Sequence, residues 1–212
     1  MASEAAVITT ERSDRRVFGA TLHDAIRAVE DASVEYLVMG GVSSATLGRP
    51  RFTHDIDLFV RPEGAEPALD ALSSAGFDTQ RTDERWLFKG FKRGVMVDVI
   101  FRSAGDVYLD DDMLDHASTV DFDGCAARVI APEDLLVVKA IVASEHVPQH
   151  WYDALGIVGR GDLDWDYLVA RASRHGVRRV VSLLLYAQSN DIAVPPRPVR
   201  ELFALLYEVE RS

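Results

Sequence analysis

The chain has 212 residues, of which 48% are hydrophobic and 27% charged, and this balance excludes an intrinsically disordered or low-complexity protein. Its formal net charge of −11 excludes nonspecific nucleic-acid binding over the whole surface, so a polyanionic substrate must meet local basic groups or metal ions. A single cysteine, no apolar run near the ~20 residues of a membrane span and no signal-peptide core predict a cytoplasmic protein without a membrane partner.

In chain order, the first predicted elements alternate between helix and strand. Apolar residues recur at helical spacing over 14–31, and residues 34–39 alternate as in a strand that Gly40 and Gly41 close with a tight turn. The next predicted elements are a short helix at 44–47, a strand at 55–60, a helix at 67–75 and a hairpin of strands at 86–91 and 95–101.

Helices dominate the prediction after residue 131. A β pair ends the strand-rich part, and Pro132 follows where the first turn of a helix accepts proline. The β pair is predicted at 118–122 and 127–130, and the helices at 132–142, 149–158, 164–175, 177–189 and 198–210. The sequence therefore predicts an α/β (α+β) fold, with a catalytic domain at 1–131 and a helical domain at 132–212.

The first candidate site is the turn between the strand at 34–39 and the helix that follows it. Backbone N–H groups at such a turn are free to bind, and nearby hydroxyls add donors, so the turn can hold a phosphate chain. Two arginines ahead of the next strand are placed to contact the same phosphate chain, such as the triphosphate of a nucleotide. The candidates are Gly40, Gly41, Ser43 and Ser44 in the turn, and Arg49 and Arg51 before the strand.

Carboxylates on two predicted strands form the second candidate site. Asp55 and Asp57 are two residues apart in a strand, so both project from the same face and repel unless a cation such as Mg²⁺ or Mn²⁺ lies between them. Asp98 stands in the apolar run VMVDVIF, where burying a lone charge is costly, so it should face out beside the pair. Three carboxylates facing a phosphate site predict metal-assisted phosphoryl transfer, in which Asp98 can help to activate the attacking hydroxyl.

Taken together, these elements resemble a known superfamily. Gly40-Gly41, Asp55-Ile56-Asp57 and Asp98 are similar to the three signature elements of the DNA-polymerase-β-like nucleotidyltransferases, over residues 34–101. The resemblance implies a nucleotidyltransferase fold, a mixed sheet with flanking helices. It implies that the glycines and Ser43 bind the triphosphate of an NTP and that the three aspartates hold metal. The implied reaction transfers a nucleoside monophosphate to a hydroxyl and releases pyrophosphate.

Within that superfamily, the stretch RPRFTHDIDL resembles the Arg-x-Thr-x-Asp-hydrophobic-Asp signature of the AbiEii/MenT-type toxin nucleotidyltransferases. Those enzymes also carry a helical Lys and an Asp about fifteen residues on, and Lys139 and Asp153 stand at that spacing. The resemblance implies that both contact the nucleotide and that Lys139 assists catalysis. It also implies an RNA 3′ end, above all of tRNA, as acceptor and an antitoxin as protein partner. A basic residue usually precedes that Asp, whereas Gln149, His150 and Trp151 stand there in this chain.

The signature leaves two alternatives open. Aminoglycoside adenylyltransferases share the Gly-Gly and Asp-x-Asp elements, so a small antibiotic with a hydroxyl group is an alternative acceptor. The other alternative is a non-enzymatic module that binds a partner protein through its acidic surface, and the presence of all three carboxylates argues against it.

Two remaining features are predicted to serve packing. The basic residues within 171–179 predict a salt-bridged helix surface, with a contact to RNA or phosphate as the alternative. Trp86, Trp151 and Trp165 are predicted to lie in the core or between helices.

Overall fold

The computed structural model describes residues 2–122 and 124–208, and side chains over 14–122 and 124–207. The helices are α1 (Ala2–Asp31), α2 (Gly40–Leu47), α3 (Ala65–Ser74), α4 (Asp111–His116), α5 (Pro132–Val142), α6 (Gln149–Arg160), α7 (Trp165–Arg174), α8 (Val177–Ser189) and α9 (Pro196–Glu208). The strands are β1 (Tyr36–Met39), β2 (Asp55–Val60), β3 (Asp78–Asp83), β4 (Leu87–Lys92), β5 (Val95–Ile100), β6 (Ser118–Phe122) and β7 (Cys125–Val129). No helix in these ranges is both long and apolar enough to cross a bilayer.

Within the described residues, the strands form one mixed sheet in the order β3-β4-β5-β2-β1-β7-β6. β2 pairs in parallel with β5 and antiparallel with β1, so these three strands occupy the middle of the sheet. In this register Asp57 lies opposite Asp98 on one side and opposite Met39 on the other. The pairing of β2 with β5 therefore joins residues that are 41 positions apart in the sequence.

Each face of the sheet carries its own apolar cluster. Ile56 and Leu58 of β2 are fully buried against the cluster formed with α1 and α3. Phe59 points the other way, into the cluster of the helices that follow residue 131. Because side chains alternate along a strand, Asp55 and Asp57 share the face of Phe59. The acidic side chains thus face the C-terminal helices, which form the opposite wall of a cleft.

Most predicted elements are present, and several have shifted ends. The strand at 55–60 and the helices at 132–142 and 177–189 have the predicted bounds, while α1 and α2 begin earlier than predicted. The predicted helix at 198–210 begins at Pro196, and its last two residues lie outside the described residues. β3 and α4 were not predicted. The proposed division into two domains at residue 131 stays a prediction.

Arg171 and Arg174 form the ion pairs predicted for 171–179, but Arg171 does so in the core and only Arg174 on the helix surface. The Nη1 of Arg171 lies 2.6 Å from Asp110 Oδ2 and its Nε lies 2.6 Å from Asp134 Oδ1. Arg171 and Asp134 are buried, with exposed fractions of 1% and 0%. Burial raises the pKa of Asp134 to about 6, although the positive charge of Arg171 acts to lower this pKa. On the surface, Arg174 pairs with Asp112. These two arginines therefore tie α7 to the segment around α4.

Replacing Arg171 with Met is expected to lower the free energy of unfolding by about 3–5 kcal/mol, because Asp134 stays buried without its cation. Arg174→Met is the matched control, since it breaks an exposed pair and should cost about 1 kcal/mol or less. Urea denaturation of both variants measures the difference. Equal losses in the two variants would contradict a structural role for the buried pair.

Candidate active site

Asp55, Asp57 and Asp98 lie together in the middle of the sheet. β2 places the first two on one face, and the parallel register with β5 brings the third opposite Asp57. One carboxylate oxygen from each residue lies within 4.8 Å of the others. The structure therefore brings together the three carboxylates that the sequence pattern singled out.

The electrostatics of this cluster favour a divalent cation. Burial, together with the charges of Asp55 and Asp98, raises the pKa of Asp57 to about 6. Burial also raises the pKa of Asp98, although Lys89, whose Nζ lies 2.7 Å from Asp98 Oδ1, opposes this shift. Hard cations such as Mg²⁺ and Mn²⁺ prefer carboxylate oxygens, and binding one would relieve the repulsion among the three groups. The donor set thus fits the metal that the fold implies.

The glycine turn lies against Asp57. Gly40 has a φ of 64°, and a Cβ placed on it would lie 1.8 Å from Asp57 Oδ2. A Cβ on Gly41 would lie 2.2 Å from Thr53 Oγ1, and the Gly41 N–H points at Asp57 Oδ2 over 3.4 Å. Both positions therefore need glycine, Gly40 for its backbone conformation as well as its space. The start of α2 is thereby held next to the carboxylates.

The hydroxyls of Ser43 and Ser44, predicted to bind a phosphate chain, are bonded to backbone carbonyls in the structure. Ser43 Oγ donates to the Val38 carbonyl at 2.8 Å, and Ser44 Oγ donates to the Gly40 carbonyl at 2.6 Å. Both residues are buried and neither lines the cleft. A serine inside a helix readily bonds the carbonyl four residues earlier, as Ser44 does here. The turn thus offers backbone N–H groups to a ligand.

Two cations that line the cleft are paired with a buried carboxylate. Arg51 donates to both oxygens of Asp153, from Nε and Nη2, at 2.9 Å each. Lys139 of α5 is buried, with Nζ 3.1 Å from Asp153 Oδ2 and 3.4 Å from His150 Nδ1. Arg51 and Lys139 line the cleft, and the charge of Lys139 acts to lower the pKa of Asp57. The cleft therefore has a cationic wall, formed by Arg51 and Lys139, whose charges act on the carboxylates.

Asp153, predicted to contact the nucleotide, is buried and is not among the described residues that line the cleft. Its exposed fraction is 4%, and its oxygens accept from Arg51, from Lys139 and from Gln149 at 2.9 Å. Burial acts to raise the pKa of Asp153, but these donors outweigh it and hold the pKa below its usual value. Asp153 thus orients two cations that face the cleft. The basic partner of this carboxylate is Arg51, which stands 102 residues earlier in the chain.

Arg49, predicted to contact the triphosphate, is not among the described residues that line the cleft. It is exposed, and its side chain packs beside Gly156 of α6, where an added Cβ would lie 3.1 Å from Arg49 Cγ. Of the two predicted arginines, Arg51 alone lines the cleft.

The cleft, of about 800 Å³, also contains residues that the sequence did not single out. Trp86 is 41% exposed and lines the cleft, so the prediction that it packs in the core is wrong. It follows the polar residues Asp83-Glu84-Arg85, and this context is more typical of a surface turn than of a buried strand. Other lining residues of this kind are Phe52, His54, Arg85, Arg102 and His150.

Comparison with known proteins finds one family model that covers most of the chain and solved structures with a similar fold. Residues 8–189 match a family model described as "Uncharacterised nucleotidyltransferase". Among solved structures, the antibiotic-resistance factor ANT(2'')-Ia is 13% identical with a TM-score of 0.52, covering 81% of this chain and 97% of that one. The nucleotidyltransferase toxin MenT4 of Mycobacterium tuberculosis is 12% identical with a TM-score of 0.46, covering 89% and 70%. A search of curated proteins gives no match.

Proposed function

The chain belongs to this nucleotidyltransferase family, and we propose that it transfers a nucleoside monophosphate from an NTP to the 3′ hydroxyl of an RNA, most of all a tRNA, in the cytoplasm. The observation that supports this reaction is the set of three carboxylates within 4.8 Å of one another, next to the glycine turn. Arg51 and Lys139, on the cationic wall, supply positive charge for a triphosphate. An antitoxin that covers the cleft is the protein partner that fits this function.

Asp55, Asp57 and Asp98 would hold Mg²⁺ or Mn²⁺, which when bound offsets negative charge on the triphosphate. Arg51 and Lys139 donate to phosphate oxygens, and the first N–H groups of α2 face the same chain. Asp98 accepts the proton of the attacking hydroxyl while the new bond to the α-phosphorus forms. The bond between the α-phosphorus and its bridging oxygen breaks, and pyrophosphate leaves along the cationic wall.

The charge of the cleft favours an anionic acceptor over a cationic antibiotic. Among the described residues that line the cleft, Asp106 is the one carboxylate outside the metal-binding set, and Arg102 pairs with it. An aminoglycoside carries several ammonium groups, which would need unpaired carboxylates of their own. The lining cations are Arg51, Arg85, Arg102 and Lys139. This balance fits the phosphates of an RNA end.

Incubating the protein with each α-³²P-labelled NTP and Mg²⁺, separately with total tRNA, an aminoglycoside panel and cell protein, tests the proposal. We expect label in the tRNA pool, and we expect prior periodate oxidation of the 3′ ribose to prevent it. Label on an aminoglycoside would overturn the RNA acceptor but keep the reaction. No label in any pool, together with no binding of Mg-NTP by calorimetry, would overturn the reaction itself.

A further inference from the structure

The strand register divides the cleft into two ends with the carboxylates between them. β2 and β5 run in parallel through the cluster, with Asp57 opposite Asp98. Residues before Asp55 lie at one end, and residues after Asp98 lie at the other. Each end carries an exposed aromatic side chain that lines the cleft, Phe52 at the first and Trp86 at the second.

The first end belongs to the triphosphate in the proposed reaction. Gly41 lies against Thr53, so the start of α2 opens toward the residues that precede β2. Arg51, on the cationic wall, comes from the same segment. Phe52 is 48% exposed there, with its ring centroid 4.8 Å from that of His54. The NTP thus fills this end, with an aromatic surface beside it for its base.

Trp86 marks the second end. β4 pairs antiparallel with β5, so its first residue, Leu87, lies opposite Ile100. The Trp86 carbonyl accepts from the Phe101 N–H at 3.0 Å, which places Trp86 beside a residue three positions beyond Asp98. Three strand residues span about 10 Å. Along the strands, the Trp86 backbone therefore lies about 10 Å from Asp98, the carboxylate that faces the attacking hydroxyl.

Two arginines line the cleft with Trp86. Arg85 pairs with Asp83 at 2.7 Å, and Arg102 pairs with Asp106; the arginine side chains are 79% and 41% exposed. Exposed ion pairs of this kind contribute about 0–1 kcal/mol, so a phosphate can replace either carboxylate at little cost. An exposed aromatic ring and guanidinium groups that line one cleft are the combination that single-stranded nucleic acid binds, through base stacking and phosphate contacts.

We propose that Trp86, Arg85 and Arg102 form the acceptor site. The indole stacks on a base at the single-stranded 3′ end of an RNA, and the two guanidinium groups contact the phosphates that precede it. The terminal hydroxyl then points toward Asp98, opposite the NTP. This assignment rests on the proposed function, and it adds the residues that select the acceptor. It also explains why a tryptophan is left exposed at the start of a strand whose next two residues are buried.

Steady-state kinetics of Trp86→Ala, with NTP and RNA varied in turn, test the assignment. We expect the KM for RNA to rise about tenfold or more, because one base loses its stacking surface, while the KM for NTP stays within about twofold. Trp86→Phe keeps an aromatic ring and should restore most of the affinity. Phe52→Ala is the matched control at the other end of the cleft, and it should raise the KM for NTP and leave the KM for RNA unchanged.

Each result decides between the two proposals. If the wild-type protein labels RNA but Trp86→Ala leaves the KM for RNA unchanged, or raises the KM for NTP instead, the acceptor site is wrong and the proposed function stands. If the wild-type protein labels no RNA, the acceptor site falls together with the RNA acceptor of the proposed function. A thermal melt of Trp86→Ala within about 2 °C of wild type confirms that the change is one of binding, since the side chain is 41% exposed.

Discussion

Asp57→Asn is expected to lower kcat/KM for nucleotide transfer by about 1,000-fold or more. Asparagine keeps the shape of the side chain but removes one of the three charges within 4.8 Å of one another. A neutral amide oxygen holds a divalent cation far less tightly than a carboxylate, and the loss corresponds to several kcal/mol of transition-state stabilisation. The transfer assay described above measures the activity, and Mn²⁺ titration calorimetry measures the affinity for metal directly.

The same substitution is expected to stabilise the metal-free protein. The folded pKa of Asp57, about 6, lies above its ordinary value of 3.8, because burial and the neighbouring carboxylates disfavour its charge. Because the pKa of Asp57 is raised in the folded state, its protonated side chain stabilises the protein below about pH 4. This contribution is lost as the pH rises through 6. The loss amounts to about 3 kcal/mol at pH 8. Asp57→Asn lacks this titration, so in EDTA its Tm should exceed that of wild type at pH 8 and approach it at pH 4.

Activity and stability thus move in opposite directions for this variant, which separates a lost metal ligand from misfolding. Asp70→Asn is the matched control, since Asp70 is exposed on α3, away from the cleft, and it should change neither property. An Asp57→Asn protein that keeps its activity would remove the carboxylate cluster from the mechanism. One that melts earlier than wild type at pH 8 in EDTA would contradict the repulsion inferred among the three groups.

The central part of the fold and its carboxylates could be predicted because their signals are local. The apolar strand of residues 55–60 has period two, which fixes the face of both aspartates without any long-range information. The glycine pair ends one strand and opens one helix, a change that only the local backbone has to accommodate. Asp98 could be placed on the same face because burying a lone charge would be too costly.

The missed elements lack such a signal. β3 has the sequence DTQRTD and is mostly exposed at the edge of the sheet, so no apolar alternation marks it. α4 has six residues and begins after Asp110, whose side chain accepts from the Met113 N–H. A short helix held by one cap and by the ion pair of Asp110 with Arg171 depends on contacts 61 residues apart in the sequence.

The same reason explains why the partners of several site residues could not be predicted. Asp153 stands at the expected spacing from Lys139, yet its role depends on Arg51, which the fold brings from 102 residues away. The Ser43 and Ser44 hydroxyls could point to a ligand or to the backbone, and only the three-dimensional geometry distinguishes the two. The sequence therefore identifies which residue types are present, while the tertiary contacts decide which of them reach the cleft.

Gly40→Ala is expected to lower transfer activity by about 100-fold or more without unfolding the protein. An added Cβ would lie 1.8 Å from Asp57 Oδ2, and a contact this short forces either the carboxylate or the turn to move. A displacement of about 1 Å at a catalytic group costs about 100-fold in rate. The transfer assay reports the loss, and Mn²⁺ calorimetry should show weaker metal binding.

Gly94→Ala separates this clash from backbone strain. Gly94 also has a positive φ, 77°, but an added Cβ would meet nothing within 4 Å. Both variants should lose about 1–2 kcal/mol of stability from the left-handed conformation, and only Gly40→Ala should lose activity. If Gly40→Ala acts by moving Asp57, then adding Asp57→Asn to it should cost little beyond the loss from Asp57→Asn alone, because both changes disable one group. Additive losses in the double variant would instead indicate that the glycine turn serves the triphosphate independently of that carboxylate.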